Sequence, residues 1–311
     1  MNRMGLSTYL QKMVLFIIAA VILVTVGSAS AAVKPRQGAD MLLDSYRRYS
    51  ARLATNSYGL PLVVESSEQE DRVQVDVYGI FDHSFIGIAN ALKVPANWCD
   101  IVFLPPNIKT CTYRKLNDTW QLAFYLGRKE YQPPEDARKI ICRYRSVEQQ
   151  QGYLDIMLNA DDGPFGTKNH RMRTEALPLD GGKTFIHVSY TYSDSVALRL
   201  ASKIYFATLG RSKVGFTVTG TDRNGKQIHI GGPRGAVERN AVRYFFAIQS
   251  FMNTSRYPEE SRFNLRISQW YDLTNHYRKQ LFDLEKKDYI TLKTRERRNQ
   301  VTLQNQIETG R

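Results

Sequence analysis

The chain has 311 residues and a formal net charge of +13, a length that one α+β domain with appendages can use to build a large core. Its three cysteines, Cys99, Cys111 and Cys142, form no CxxC pair of the metal-binding type, so no metal site and no cofactor is expected from them.

The N-terminus runs basic, apolar, small: Arg3 and Lys12, then the uncharged stretch Met13 to Val26, then Gly27 to Ala32. As a helix that stretch would reach only about 21 Å, short of the roughly 30 Å core of a bilayer. Residues 1–31 therefore read as a cleavable signal peptide, with Ala29 and Ala31 at −3 and −1 and cleavage before Ala32; an uncleaved anchor is the alternative. Export places the protein in the periplasm and leaves a charge of +11 once Arg3 and Lys12 are gone. No nucleic acid is expected as a partner there. The surplus charge suits contact with an anionic membrane surface or serves solubility alone.

Residues 32–60 form an N-terminal helix and linker, with Leu42, Leu43, Tyr46, Tyr49 and Leu53 on one helical face. The main domain is expected over 61–254. Val73, Val75, Val77, Gly79 and Phe81 alternate with Gln74 and Asp76 as a half-buried strand, and His83 to Lys93 is helical in composition. Five alternating runs follow. Their apolar sets are Trp120, Leu122, Phe124, Leu126; Ile140, Cys142, Tyr144; Leu154, Ile156, Leu158; His170, Met172, Thr174, Ala176; and Ile186, Val188, Tyr190, Tyr192. Turn signals such as Asn117-Asp118 and Asp180-Gly181-Gly182 separate the runs. Close spacing makes an antiparallel meander with one apolar face and one wet face. Cys142 falls on the apolar side, while Cys99 and Cys111 flank a loop with Pro105-Pro106, so a Cys99–Cys111 disulfide with Cys142 free is expected.

A helical stretch over 196–209 and a hairpin around Asp222 to Gly225 precede a long amphipathic helix from Pro233 to Asn253. That helix carries Val237, Ala241, Tyr244, Phe245, Ile248, Phe251 and Met252 on one face and Glu238, Arg239 and Arg243 elsewhere. The Gly231 to Gly235 turn before it reads as a tight turn, with an anion site at Arg234 as the alternative. Residues 255–311 make a further amphipathic helix and a basic tail. The helix repeats Phe263, Ile267, Trp270, Thr274, Tyr277, Leu281 and Leu284 at alternating four and three, a pattern for packing on the parent domain or for a dimer. The tail, Lys286 to Arg298, reads as a solvated helix end or a membrane contact.

No nucleophile elbow, metalloprotease helix or phosphate loop is present. His170 and His187 could meet across strands, or be ordinary sheet residues. The segment Trp98-Cys99-Asp100, the phrase Leu126-Gly127-Arg128-Lys129, and Gly231 to Tyr244 with Arg239-Asn240 resemble a START-type lipid-binding domain of the helix-grip superfamily, which also holds polyketide cyclases. Within it they are most similar to a group of secreted proteobacterial proteins, over roughly Leu62 to Asn253. The resemblance implies an α+β helix-grip fold, a curved antiparallel sheet wrapped around a long C-terminal helix, with the last helix added. It also implies a cavity for one lipid or sterol-like molecule. The strand pattern nominates Phe124, Leu126, Ile156, Met172, Val188, Tyr190 and Tyr192 for its lining, with Tyr244, Phe245 and Ile248 from the helix; a filled core is the alternative. The expected function is a periplasmic carrier or binding protein for a hydrophobic small molecule, against a cyclase- or aromatase-like enzyme or an envelope scaffold. N-terminal sequencing of the exported protein should return Ala32; recovery of the full-length chain in the inner-membrane fraction would establish an anchor instead.

Overall fold

Alternating apolar and polar residues fold through the middle of the chain as one antiparallel sheet of eight strands. The computed structural model describes residues 38–56, 59–69, 72–149, 152–195, 200 and 212–310. The leader over 1–31 lies outside the described residues, as does the stretch expected over 196–209 apart from Leu200. Helix α1 (Gly38–Ala54) precedes β1 (Leu62–Glu68) and β2 (Arg72–Phe81); α2 (Phe85–Leu92) and α3 (Pro95–Val102) follow. The meander is β3 (Ile108–Leu116), β4 (Thr119–Leu126), β5 (Arg138–Gln149), β6 (Tyr153–Asp162), β7 (Lys168–Pro178) and β8 (Thr184–Ser193). After the hairpin of β9 (Val218–Thr221) and β10 (Gln227–His229) come α4 (Gly232–Thr254), α5 (Glu259–Asn275), the one-turn α6 (Arg278–Leu281) and α7 (Lys286–Thr309).

The sheet order β1-β2-β8-β7-β6-β5-β4-β3 sets the first hairpin beside the last strand, so α2 and α3 carry the chain from one side of the sheet to the far edge. The long helix α4 lies on the apolar face. This is a helix-grip fold of the α+β class.

Helix α4 closes on β2, β1 and β8, and Gly79 is what lets it come so near. A Cβ there would sit 2.2 Å from Cζ of Phe245 and 3.0 Å from the carbonyl of Pro61. Phe245 also meets Phe81 edge to face at 5.1 Å. Val188, Phe245 and Ile248 are buried in this close-packed half, and Ile156 of β6 is buried in the same core.

Helix α4 is buried over most of its circumference, Glu238, Arg239 and Arg243 included, because the expected polar face is covered by the chain on both sides of it: residues 214–217 before it lie against Glu238 and Arg239, and the chain after it covers Arg243. Trp270 of α5 donates its indole N–H to the Arg243 carbonyl at 3.1 Å, and Arg243 reaches Asp283 at 2.8 Å. Phe246 stacks on Tyr277 at 5.6 Å. The heptad-like residues Ile267, Trp270, Thr274, Tyr277 and Leu281 are thus buried within this chain. The tail is not a solvated end: in α7, Lys293, Glu296 and Gln300 are buried against edge strand β3. Lys293 Nζ donates to the Ile108 carbonyl at 2.7 Å, and Gln300 accepts from the Cys111 N–H at 3.3 Å. Gln304 accepts from Tyr113 N–H at 2.9 Å and donates back to its carbonyl at 3.1 Å.

The Cys99–Cys111 disulfide ties α3 to β3, and Cys142 is a buried free thiol. Helix α1 covers part of the other face of the sheet, the one expected to be wet, through Leu42, Tyr49 and Leu53 against Tyr153, Leu177 and Phe185. Among the described residues no helix is long and apolar enough to cross a membrane. Substituting Gly79→Ala should push Phe245 out of place and cost about 1–3 kcal/mol, read as a lower midpoint in urea unfolding.

Candidate functional site

Because α4 settles over β1, β2 and β8, the concave face of β4 to β7 is left partly uncovered beside it. A cavity of about 710 Å³ remains there, inside the range of roughly 300–1,000 Å³ common for small-molecule sites. Its wall takes Phe124 and Leu126 from β4, Ile140 and Cys142 from β5, Leu158 and Ala160 from β6, Met172 from β7 and Tyr190 from β8. Asn240 and Tyr244 close it from α4. The rim is formed by the β4–β5 and β6–β7 connections, with Arg128, Asp136, Arg138 and Phe165 exposed on it.

Of the ten lining residues expected from the sequence, Phe124, Leu126, Met172, Tyr190 and Tyr244 line this cavity. Ile156, Val188, Phe245 and Ile248 do not; they share the apolar parity but are buried in the packed core. Tyr192 stands behind the wall, packed near His170 with ring centroids 5.4 Å apart and 13° between planes.

The strand pattern sets His170 on the apolar face with Met172, and there it lines the cavity. His170 and His187 do not meet. Positions 170 and 190 share the concave parity, while 187 is of the opposite parity and looks out through the convex face. Nδ1 of His170 lies 2.8 Å from the Tyr190 hydroxyl and Nε2 lies 2.8 Å from Thr167 Oγ1. Gly163 makes room for the ring: a Cβ there would fall 1.8 Å from Nε2. Burial holds the His170 pKa below its usual value, so the ring is neutral near pH 7. Burial likewise raises the phenols of Tyr190 and Tyr244 and pushes the Cys142 thiol up to about 12. That thiol is no nucleophile at neutral pH.

Other polar groups serve the scaffold. Arg234 does not present an anion site; its guanidinium donates to the Ser66 carbonyl at 2.7 Å. Glu238, fully buried, accepts the N–H groups of Phe216 and Thr217 at 2.6 and 2.9 Å. The Gly231 to Tyr244 segment thus anchors the chain around β9 to α4, and the turn with Pro233 in the first helical turn is structural. Lys109 and Lys293 share the buried Glu296 at 2.7 and 2.9 Å. Burial lowers both ammonium pKa values, that of Lys293 to about 8.

No family model matches the sequence, and no curated protein does. Among solved structures the chain is similar to a STAR-related lipid transfer protein of Xanthomonas axonopodis, at 12% identity over 48% of this chain and 89% of that one, with a TM-score of 0.34. It is similar also to human StAR-related lipid transfer protein 5, at 9% identity over 70% and 98%, TM-score 0.35. A third is the Zhui aromatase/cyclase of a Streptomyces species, at 8% identity over 40% and 70%, TM-score 0.29. These scores are low, and the fold stands on this chain's own strand order and central helix.

On the convex face His187 bonds Glu175 through Nδ1 and Asp76 through Nε2, each at 2.8 Å. Tyr78 stacks on its ring at 4.4 Å, and Tyr49 of α1 lies against Tyr78 at 4.6 Å. Burial would lower the imidazole pKa, but the two carboxylates outweigh it and hold the value raised. For both acids burial works upward, and the bonds from His187 outweigh it and keep them lowered. A raised histidine stabilises fully below its unfolded pKa of about 6.5, and that contribution is lost as pH rises through the folded value. Thermal melting should therefore weaken from pH 6 towards pH 8 (~2 units) by an amount that the variant His187→Gln no longer shows; parallel curves for the two proteins would mean the imidazole is not charged in the folded state.

Proposed function

We propose that the mature protein is a periplasmic carrier that holds one hydrophobic small molecule between its sheet and α4, without transforming it. The cavity of about 710 Å³ beside α4 carries this reading. Its wall is mostly apolar, with few polar groups placed to orient a guest, which is the usual composition of a binding pocket. Burying apolar surface of a guest there is favourable by about 25 cal/mol per Å² before the costs of association. The leader pattern of residues 1–31 and the Cys99–Cys111 disulfide support an oxidising, exported setting. A net positive charge after export suits exchange at anionic lipid headgroups.

A second reading follows from the His170–Tyr190 pair, which could move a proton on a guest that reacts inside the cavity. Native mass spectrometry of protein purified from its own envelope separates the two. A carrier retains a co-purifying lipid of constant mass; a mass change of that lipid on incubation, lost in Tyr190→Phe, would establish an enzyme. The cavity itself is tested by filling it. Met172→Trp, at the wall, should abolish lipid uptake with little loss of stability. Ile248→Trp, in the closed half, should cost about 1–3 kcal/mol and leave uptake in place. Equal destabilisation by both would mean that the wall is packed.

A further inference from the structure

The proton positions in the cavity are fixed by its own hydrogen bonds, starting from Pro164. Thr167 Oγ1 lies 2.6 Å from the Pro164 carbonyl. A carbonyl only accepts, so the Thr167 hydroxyl proton is committed to it. The Thr167 oxygen can then only accept, and the group 2.8 Å away is Nε2 of His170, which must carry the ring proton. In the neutral ring Nδ1 is a bare lone pair, and it takes the Tyr190 O–H at 2.8 Å. Tyr190 therefore points its proton into the wall and offers the cavity only lone pairs.

Tyr244 is the complement. It lines the same cavity as Tyr190. Among the described residues the Tyr244 hydroxyl makes no hydrogen bond, so its proton is free to be donated inward. A guest in the cavity thus meets one acceptor, Tyr190, and one donor, Tyr244.

We infer that the cavity selects an apolar molecule bearing a hydroxyl group, held by donating to Tyr190 and accepting from Tyr244. This rests on the reading of the cavity as a ligand site and names the chemistry of its guest. An alcohol satisfies both phenols; an ester can accept from Tyr244 but gives nothing to Tyr190; a hydrocarbon bonds neither, leaving the Tyr190 lone pairs and the Tyr244 proton unused. A carboxylate would turn only lone pairs towards Tyr190. The guanidinium groups in the cavity lining, Arg128 and Arg138, are on the exposed rim, where Arg128 already pairs with Glu130 at 3.1 Å.

The test uses the mature protein loaded with phenylnaphthylamine, an uncharged fluorophore, and measures its displacement by hexadecanol, methyl hexadecanoate, hexadecane and hexadecanoate. The expected order is alcohol over ester over hydrocarbon, about fivefold per step for one hydrogen bond each. Tyr190→Phe should bring the alcohol down to the ester, and Tyr244→Phe should weaken both about fivefold, with hexadecane unchanged in either variant. His170→Leu should release the Tyr190 proton inward and erase the advantage of the alcohol over the ester. Displacement by hexadecane with no preference for the alcohol, or tighter displacement by hexadecanoate, would overturn the hydroxyl selection and leave the carrier reading intact. Failure of the fluorophore and of every probe to bind would overturn both.

Discussion

The contact between Gly79 and Phe245 governs where this fold is solid and where it is hollow. A helix laid on a curved sheet cannot touch all of it, and the absence of a side chain at one point of β2 decides the side on which it touches. With Phe245 seated over Gly79, the helix packs closely on β1, β2 and β8. The helix then stands away from β4 to β7, and the space it fails to fill is the cavity. Solid and hollow halves are thus one geometric event, because a helix drawn towards one set of strands recedes from the other.

The hollow half needs a sheet edge that does not fray, and the C-terminal chain braces it. Edge strand β3 would otherwise present unpaired N–H and C=O groups. Lys293, Gln300 and Gln304, along one face of α7, bond those groups with their side chains. The buried Lys109–Glu296–Lys293 set fixes the same helix to the β4–β5 connection, since Lys109 also donates to the Glu130 carbonyl at 2.8 Å. A buried ionic set is weak support for stability but strong support for one specific docking, because any other placement of α7 would strand a charge in a dry interior. The disulfide between α3 and β3 secures the neighbouring corner.

Each face of the sheet carries one histidine, and the two have opposite electrostatics. His187 lies beneath α1 between two carboxylates, which raise its pKa against the pull of burial. His170 lies in the cavity with only hydroxyl partners and is held neutral. The rings are of the same type and on neighbouring strands; the difference comes from which groups share their side of the sheet.

The sequence by itself determined the meander. A period of two is a local property, so the apolar sets of β2 and β4 to β8, the helix from Pro233 to Asn253, the Cys99–Cys111 pairing and the burial of Cys142 could all be read from residue spacing. It missed β1 and β3. The first part of β3, Ile108 to Thr112, is buried on both sides, Lys109, Thr110 and Thr112 included, because α7 covers it from 180 or more positions further along, and so it shows no alternation. Parity also told which residues face the helix but not how far away the helix would be. That distance depends on Gly79 meeting Phe245, two residues more than 160 positions apart, and it separates Phe124, Leu126, Met172, Tyr190 and Tyr244 in the cavity from Ile156, Val188, Phe245 and Ile248 in the core. The direction of the His170 proton is likewise tertiary, because it is passed from Pro164 through Thr167 by contacts that only the folded β6–β7 turn brings together.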